Sequence, residues 1–150
     1  MATSRNEITL PEPPTTVFAV LDDALAYPRW VVGARRIRGV DASWPLPGAS
    51  FHHAVGTAAL ELHDRTTVIE REPPERMRLR VRFRPTGVAT VSITVTPEDT
   101  GSRVVLEETP ESGPAARIPR ALVAAALWVR NAESLRRLRR EVRRRAHLLT

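Results

Sequence analysis

The sequence predicts an α+β fold: an antiparallel meander with helices gathered on one face and one long helix at the C-terminal end. Three observations carry this. Six segments between residues 35 and 109 alternate apolar and polar residues and are separated by turn-forming residues. A proline-opened helical stretch interrupts the chain after a single short strand. Apolar residues then recur at helical spacing from about Pro119 to His147.

Element by element, "NEITL" reads as the first strand, and "PEPPTTVFAVLDDALAYPRWV" as helical turns capped by Thr15 or Thr16 and broken at Pro28. Strands follow near 35–40, 49–56, 59–71, 76–84, 88–97 and 102–109. Gly48, "EPPE" (72–75), "PTG" (85–87) and "EDTG" (98–101) punctuate them. After "PESGP" the long helix carries a stripe of Ala124, Leu127, Trp128, Asn131, Leu135, Leu138, Val142, Ala146 and Leu149. Without repeats or a linker, residues 1–150 form one domain.

Composition excludes several chemistries. The chain has no cysteine, so disulfides, thiolate metal sites and cysteine nucleophiles are ruled out. "MATSRNEITL" has no apolar core of a signal peptide, and "ALVAAALWV" is too short to span a bilayer, so a cytoplasmic protein without a membrane span is expected. The net charge of +6 invites a nucleic-acid reading. All 23 basic residues are arginine, however, and they fall on regular outer faces. In "RMRLRVRFR" they alternate with Met77, Leu79, Val81 and Phe83, while Arg136, Arg137, Arg140 and Arg144 line the outside of the last helix. No specific nucleic-acid partner is expected.

Turn positions predict the register. A turn at Thr57–Ala58 sets Val55 opposite Leu60, His53 opposite Leu62 and Phe51 opposite Asp64; one at Pro73–Pro74 sets Asp64 opposite Phe83 and Val68 opposite Leu79. A turn at 86–88 sets Phe83 opposite Val91, and Asp99–Thr100 sets Val91 opposite Glu108. The inward row is then Phe51, Asp64, Phe83, Val91 and Glu108, beside a row of Thr66, Val81, Ile93 and Leu106. His52 and His63 emerge as cross-strand neighbours on the wet face, lacking the third ligand that a metal site needs. No metal and no cofactor is expected.

His53, Asp64 and Glu108 point inward, where carboxylates need partners. Asn131, the one polar residue in the helix stripe, should face the sheet, with Arg130 at the stripe's edge within reach of an inward carboxylate. These groups either hold helix to sheet or serve as polar contacts in an apolar pocket. No P-loop, HExxH, nucleophile elbow or dinucleotide fingerprint is present. Asp64 and Glu108 stand about 14 Å apart along a flat sheet, wide for a glycosidase pair at roughly 5–9.5 Å. His53 with Asp64 is the only candidate acid–base pair, and no serine stands beside them on the inward face.

Nearly the whole chain resembles the START-like, or SRPBCC, helix-grip proteins, among them polyketide cyclase/dehydrase-like proteins. The resemblance is carried by "ITLPEPPTTVFAVLDDALAYPRW", "WPLPGASFHHAVG" leading into "LELHDRTTVIEREPPERMRLRVR", "GSRVVLEETPESGP" and "RNAESLRRL". It implies a seven-stranded sheet curled around the C-terminal helix, enclosing a tunnel for a lipid, polyketide or aromatic compound. On this chain Trp30, Trp44, Phe51, His53, Asp64, Phe83, Val91, Glu108, Trp128 and Asn131 would line the tunnel. With only seven aromatic residues, the aromatics are equally accounted for as core. Binding of an apolar small molecule is the expected function. The alternative is a polyketide cyclase/aromatase-type enzyme using the same cavity, with His53 and Asp64 as its catalytic candidates.

Overall fold

The computed structural model describes residues 3–56, 59–83, 87–112 and 118–148, the Phe83 side chain excepted. Seven strands form one antiparallel sheet: β1 (Ser4–Leu10), β2 (Ala34–Val40), β3 (Ser50–Gly56), β4 (Glu61–Glu72), β5 (Arg76–Phe83), β6 (Gly87–Glu98) and β7 (Gly101–Ser112). Their order across the sheet is β1-β7-β6-β5-β4-β3-β2, so the first strand closes on the last and β2 forms the other edge. The helices are α1 (Pro14–Leu21), the single turn α2 (Tyr27–Trp30) and α3 (Arg120–Leu148). The curled sheet wraps one face around α3, which touches β1, α1 and α2.

Local chemistry explains the helical pair. Pro13 caps α1 and Pro14 opens it, because a fixed φ and a missing N–H suit the first helical position. Thr15 and Thr16 therefore lie inside the helix rather than capping it. The chain breaks at Asp22–Asp23, not at Pro28: the Asp23 carboxylate accepts from the Leu25 N–H and starts a 3-10 turn over Ala24–Ala26. Pro28 then sits in the first turn of α2, which it helps to start.

The predicted faces hold, but two hairpins pair differently. Val55 stands opposite Leu62, His53 opposite Asp64 and Phe51 opposite Thr66, a shift of two residues from the expected pairing. Phe83 pairs with Gly87 and Leu79 with Val91, a shift of four. Both shifts are even, so every side chain keeps its face. The connections cause the difference: Gly56 pairs with Glu61, closing the ladder over more residues than a two-residue turn spans. Thr57, Ala58 and the 84–86 segment themselves lie outside the described residues. The β6–β7 hairpin agrees with expectation, with Val91 opposite Glu108, and β4–β5 agrees at Val68 opposite Leu79, although a register shift between Val68 and Glu70 sets Glu72 opposite Arg76 beside the turn. At the latter turn Asp99 adopts φ 53°, which short polar side chains tolerate.

The core lies between the sheet and the helices, built from Val17, Phe18 and Leu21 of α1, Trp30 of α2, and Leu135, Leu138 and Val142 of α3 against Phe51, Met77 and Ile93. The α3 stripe is narrower than its sequence pattern suggests. Asn131, Ser134, Leu135, Leu138, Glu141 and Val142 are buried, whereas Trp128 is 54% exposed. Ala124, Leu127 and Ala146 are half-buried, and Leu149 lies outside the described residues. Two buried polar residues thus join Asn131. Glu141 accepts from Arg29 and Arg144, at 3.1 and 2.6 Å from its Oε1. Burial raises its pKa, but those two guanidiniums prevail and hold the carboxyl below its ordinary range.

This burial pattern sets an expectation for two stripe residues. Leu138→Ala, at a position 0% exposed, should cost about 2–5 kcal/mol in urea unfolding. Trp128→Ala, at a position 54% exposed, should cost clearly less. Equal losses at the two positions would contradict the placement of Trp128 outside the core.

Candidate functional site

A cavity of about 300 Å³ opens between the concave face of the sheet and the N-terminal half of α3. Its floor is strand-borne and mostly aliphatic: Leu79 and Val81 of β5, Val91 and Ile93 of β6, and Leu106 of β7. Tyr27 and Trp30 of α2 close one side, and the Val31–Ala34 segment with Val55 forms the rim. The alternation of side chains along each strand puts these residues on one face. The polar residues on the wall are few: His53, Thr66, Glu108, Arg130, Asn131 and Ser134.

The first polar cluster joins β7 to α3. Glu108 is 2% exposed and accepts from Arg130 Nη2 at 2.6 Å and from Asn131 Nδ2 at 3.2 Å. Both bonds end on the same oxygen, Oε1. Arg130 remains one-third exposed, so its guanidinium links the buried carboxylate to the surface. One helical turn on, the Ser134 hydroxyl accepts from the Val32 N–H at 3.1 Å and ties the cavity rim to α3. Beside these, Asn6 of β1 donates to the Trp128 carbonyl at 3.0 Å.

The second cluster is built on β3 and β4. His53 and Asp64 stand directly opposite one another, both buried, and His53 Nε2 is hydrogen-bonded to the Thr66 hydroxyl at 3.1 Å. His53 Nδ1 is buried with no hydrogen-bond partner among the described residues. Burial pushes the His53 imidazole down from 6.5 to about 4, with the charges of Arg38 and His52 adding to the effect. An aromatic chain braces this end: Trp30 lies 4.9 Å from Tyr27, Tyr27 4.5 Å from Phe51, and Phe51 5.3 Å from His53, between ring centres.

Of the ten residues expected to line a tunnel, Trp30, His53, Val91, Glu108 and Asn131 line this cavity. Phe51 is fully buried behind the wall as core. Trp44 packs edge-on against Phe51 and donates its indole N–H to the Asp22 carbonyl at 2.7 Å, away from the cavity. Asp64 is buried on the inner face of β4 beyond the cavity wall. Trp128 faces an outer groove between β1 and α3, beside Arg5 and Arg136. The Phe83 side chain lies outside the described residues. The rim from Val31 to Ala34 was not legible, because a loop has no periodicity to read. Ser134 had a signal, being three residues beyond Asn131 on one helical face.

His52 and His63 are not directly opposed: His52 pairs with Arg65, and His63 pairs with Ala54 and lies 3.7 Å from Glu61. No group of three His, Asp or Glu side chains gathers at metal-binding range among the described residues. The helix arginines face carboxylates: Arg136, Arg137 and Arg140 surround Glu133, and Arg144 binds Glu141. No helix among the described residues is long and apolar enough to cross a membrane.

A family model described as polyketide cyclase/dehydrase and lipid transport matches residues 1–143. Among solved structures, the chain is similar to protein CV1439 from Chromobacterium violaceum, with 22% identity over 91% of this chain and 94% of that one, at a TM-score of 0.71. It is similar to Ara h 8.0201, with 15% identity over 93% and 96% of the two chains and a TM-score of 0.73. The di-domain ARO/CYC StfQ from the steffimycin biosynthetic pathway matches at a TM-score of 0.76 and 14% identity, over 97% of this chain and 52% of that one. At such identities the likeness is one of fold. No curated protein sequence matches the chain.

Two expectations follow from the polar clusters. Asn131→Leu removes a donor from a buried carboxylate and should cost about 1–3 kcal/mol in chemical unfolding, whereas Glu108→Gln keeps shape and an acceptor and should cost less. The second concerns pH. Between 6.5 and about 4, the unfolded chain takes up a proton at residue 53 that the folded chain refuses. Stability should therefore fall as pH drops through that window and the loss should level off below it, reaching up to about 3 kcal/mol. Urea unfolding of the native protein and of His53→Gln at matched pH tests this; identical pH slopes would remove His53 as the cause.

Proposed function

The chain belongs to the polyketide cyclase/dehydrase and lipid transport family, and from that premise we propose that it binds an apolar small molecule in the cavity between the sheet and α3. The observation that carries this reading is the cavity itself. Its walls are aliphatic and aromatic except for a few polar groups, the composition of a site that holds a greasy ligand and orients it. A core with no ligand to hold would be expected to close such a space, because unfilled volume forfeits dispersion contacts.

The second reading is cyclisation or aromatisation of a polyketide in the same cavity. The likeness to the ARO/CYC di-domain protein and the direct opposition of His53 and Asp64 favour it. Two features weigh against it. Only His53 of the pair lines the cavity, and an imidazole held at about 4 is a feeble base near neutral pH. Binding therefore stands as the primary reading, and turnover as the alternative.

Native mass spectrometry of freshly purified protein should find a co-purifying apolar compound, and an environment-sensitive hydrophobic dye should bind and be displaced by apolar competitors. Val91→Phe, which places a ring in the cavity, should weaken dye binding at least about tenfold while the protein remains folded. Undiminished binding by the folded variant would move the site elsewhere.

A further inference from the structure

We infer that the cavity selects a neutral, hydroxyl-bearing molecule about the size of two fused rings, its hydroxyl donating to the free oxygen of the Glu108 carboxylate. This rests on the binding reading above and gives that site a ligand class.

Size comes first. An apolar cavity of about 150 Å³ holds one benzene ring, and the space here is about 300 Å³. Two six-membered rings fill it. A sixteen-carbon acyl chain or a folded polyketide of several rings exceeds that volume and would have to extend out past the rim.

The polar anchor comes second. Glu108 lines the cavity at 2% exposure, and its two described donors, Arg130 and Asn131, converge on Oε1. Oε2 receives none of the described hydrogen bonds, and a carboxylate oxygen accepts readily. The surrounding wall is aliphatic, with Val91 directly opposite Glu108 on β6 and Leu106 two residues before it on β7. A ligand hydroxyl is the group that completes this carboxylate. A ligand carboxylate does not, because in its ionised form it only accepts and has no proton to give to Oε2. The Glu108 charge is already matched by Arg130, so a ligand cation is not required either.

The test uses defined probes on the intact protein: 2-naphthol, its methyl ether 2-methoxynaphthalene, 2-naphthoate and palmitate, measured by calorimetry at pH 7. The naphthol should bind at least about tenfold more tightly than its methyl ether, as a hydrogen bond to a charged acceptor warrants. 2-Naphthoate and palmitate should each bind at least about tenfold more weakly than 2-naphthol. In Glu108→Gln the naphthol-to-ether ratio should collapse toward one. If the ether binds as well as the naphthol, or the ratio survives in Glu108→Gln, the hydroxyl inference fails while the binding reading stands. Preferred binding of palmitate defeats the size argument in the same way. Failure of every probe on wild-type protein overturns the binding reading itself, and this inference with it. Should Glu108→Gln not fold, a crystal structure of the wild-type naphthol complex decides: the naphthol oxygen within hydrogen-bond reach of Oε2 supports the inference, and any other position overturns it.

Discussion

A buried carboxylate on the last strand governs how this protein closes. Glu108 cannot be left without donors, and the two it uses, on Arg130 and Asn131, both come from α3. The helix is thereby held against β7 at one height. C-terminal to that point Leu135, Leu138 and Val142 are fully packed in the core. N-terminal to it the stripe thins out, with Leu127 half-buried and Trp128 turned outward. Two further polar ties surround the same level, from Asn6 to the Trp128 carbonyl and from Val32 to Ser134. The cavity lies where polar ties, rather than apolar interdigitation, set the separation of helix and sheet.

The buried charges divide along the same line. Glu141 sits at the packed end, bound by Arg29 from α2 and Arg144 from its own helix, and serves to join helices. Glu108 sits at the open end, and its donors leave part of the carboxylate uncommitted. A charge satisfied on all sides is structural, whereas one satisfied on one side in an apolar cavity is a recognition element. His53 adds a third case, an imidazole kept neutral by its surroundings at the opposite wall.

Much of this was legible in the residues, and the failures share a cause. Among the described side chains, period-two alternation placed the inner faces of β3 to β7 correctly, including the improbable inward placement of His53, Asp64 and Glu108. It could not choose between pairings that differ by an even number, so His53 was set against Leu62 instead of Asp64. The meeting of Glu108 with Asn131 and Arg130 was readable because the last hairpin has a two-residue turn, leaving little slack. Trp128 was misplaced because helical spacing alone does not reveal where a partner surface ends. Composition left the aromatics open between cavity wall and core, and Trp44 and Phe51 fall to the core, where their rings pack on one another.

The even slack in the β3–β4 and β5–β6 hairpins has a consequence for how such a cavity diversifies. Lengthening or shortening either connection by two residues slides one strand past its neighbour without turning an arginine inward. The wall keeps its chemistry, yet each inward residue meets a new cross-strand companion. A lineage can therefore remodel the contour of its binding chamber in discrete steps through its loops, leaving the strands' sequences untouched. Single-residue changes in the same loops lack this freedom, since they invert the sheet's two faces.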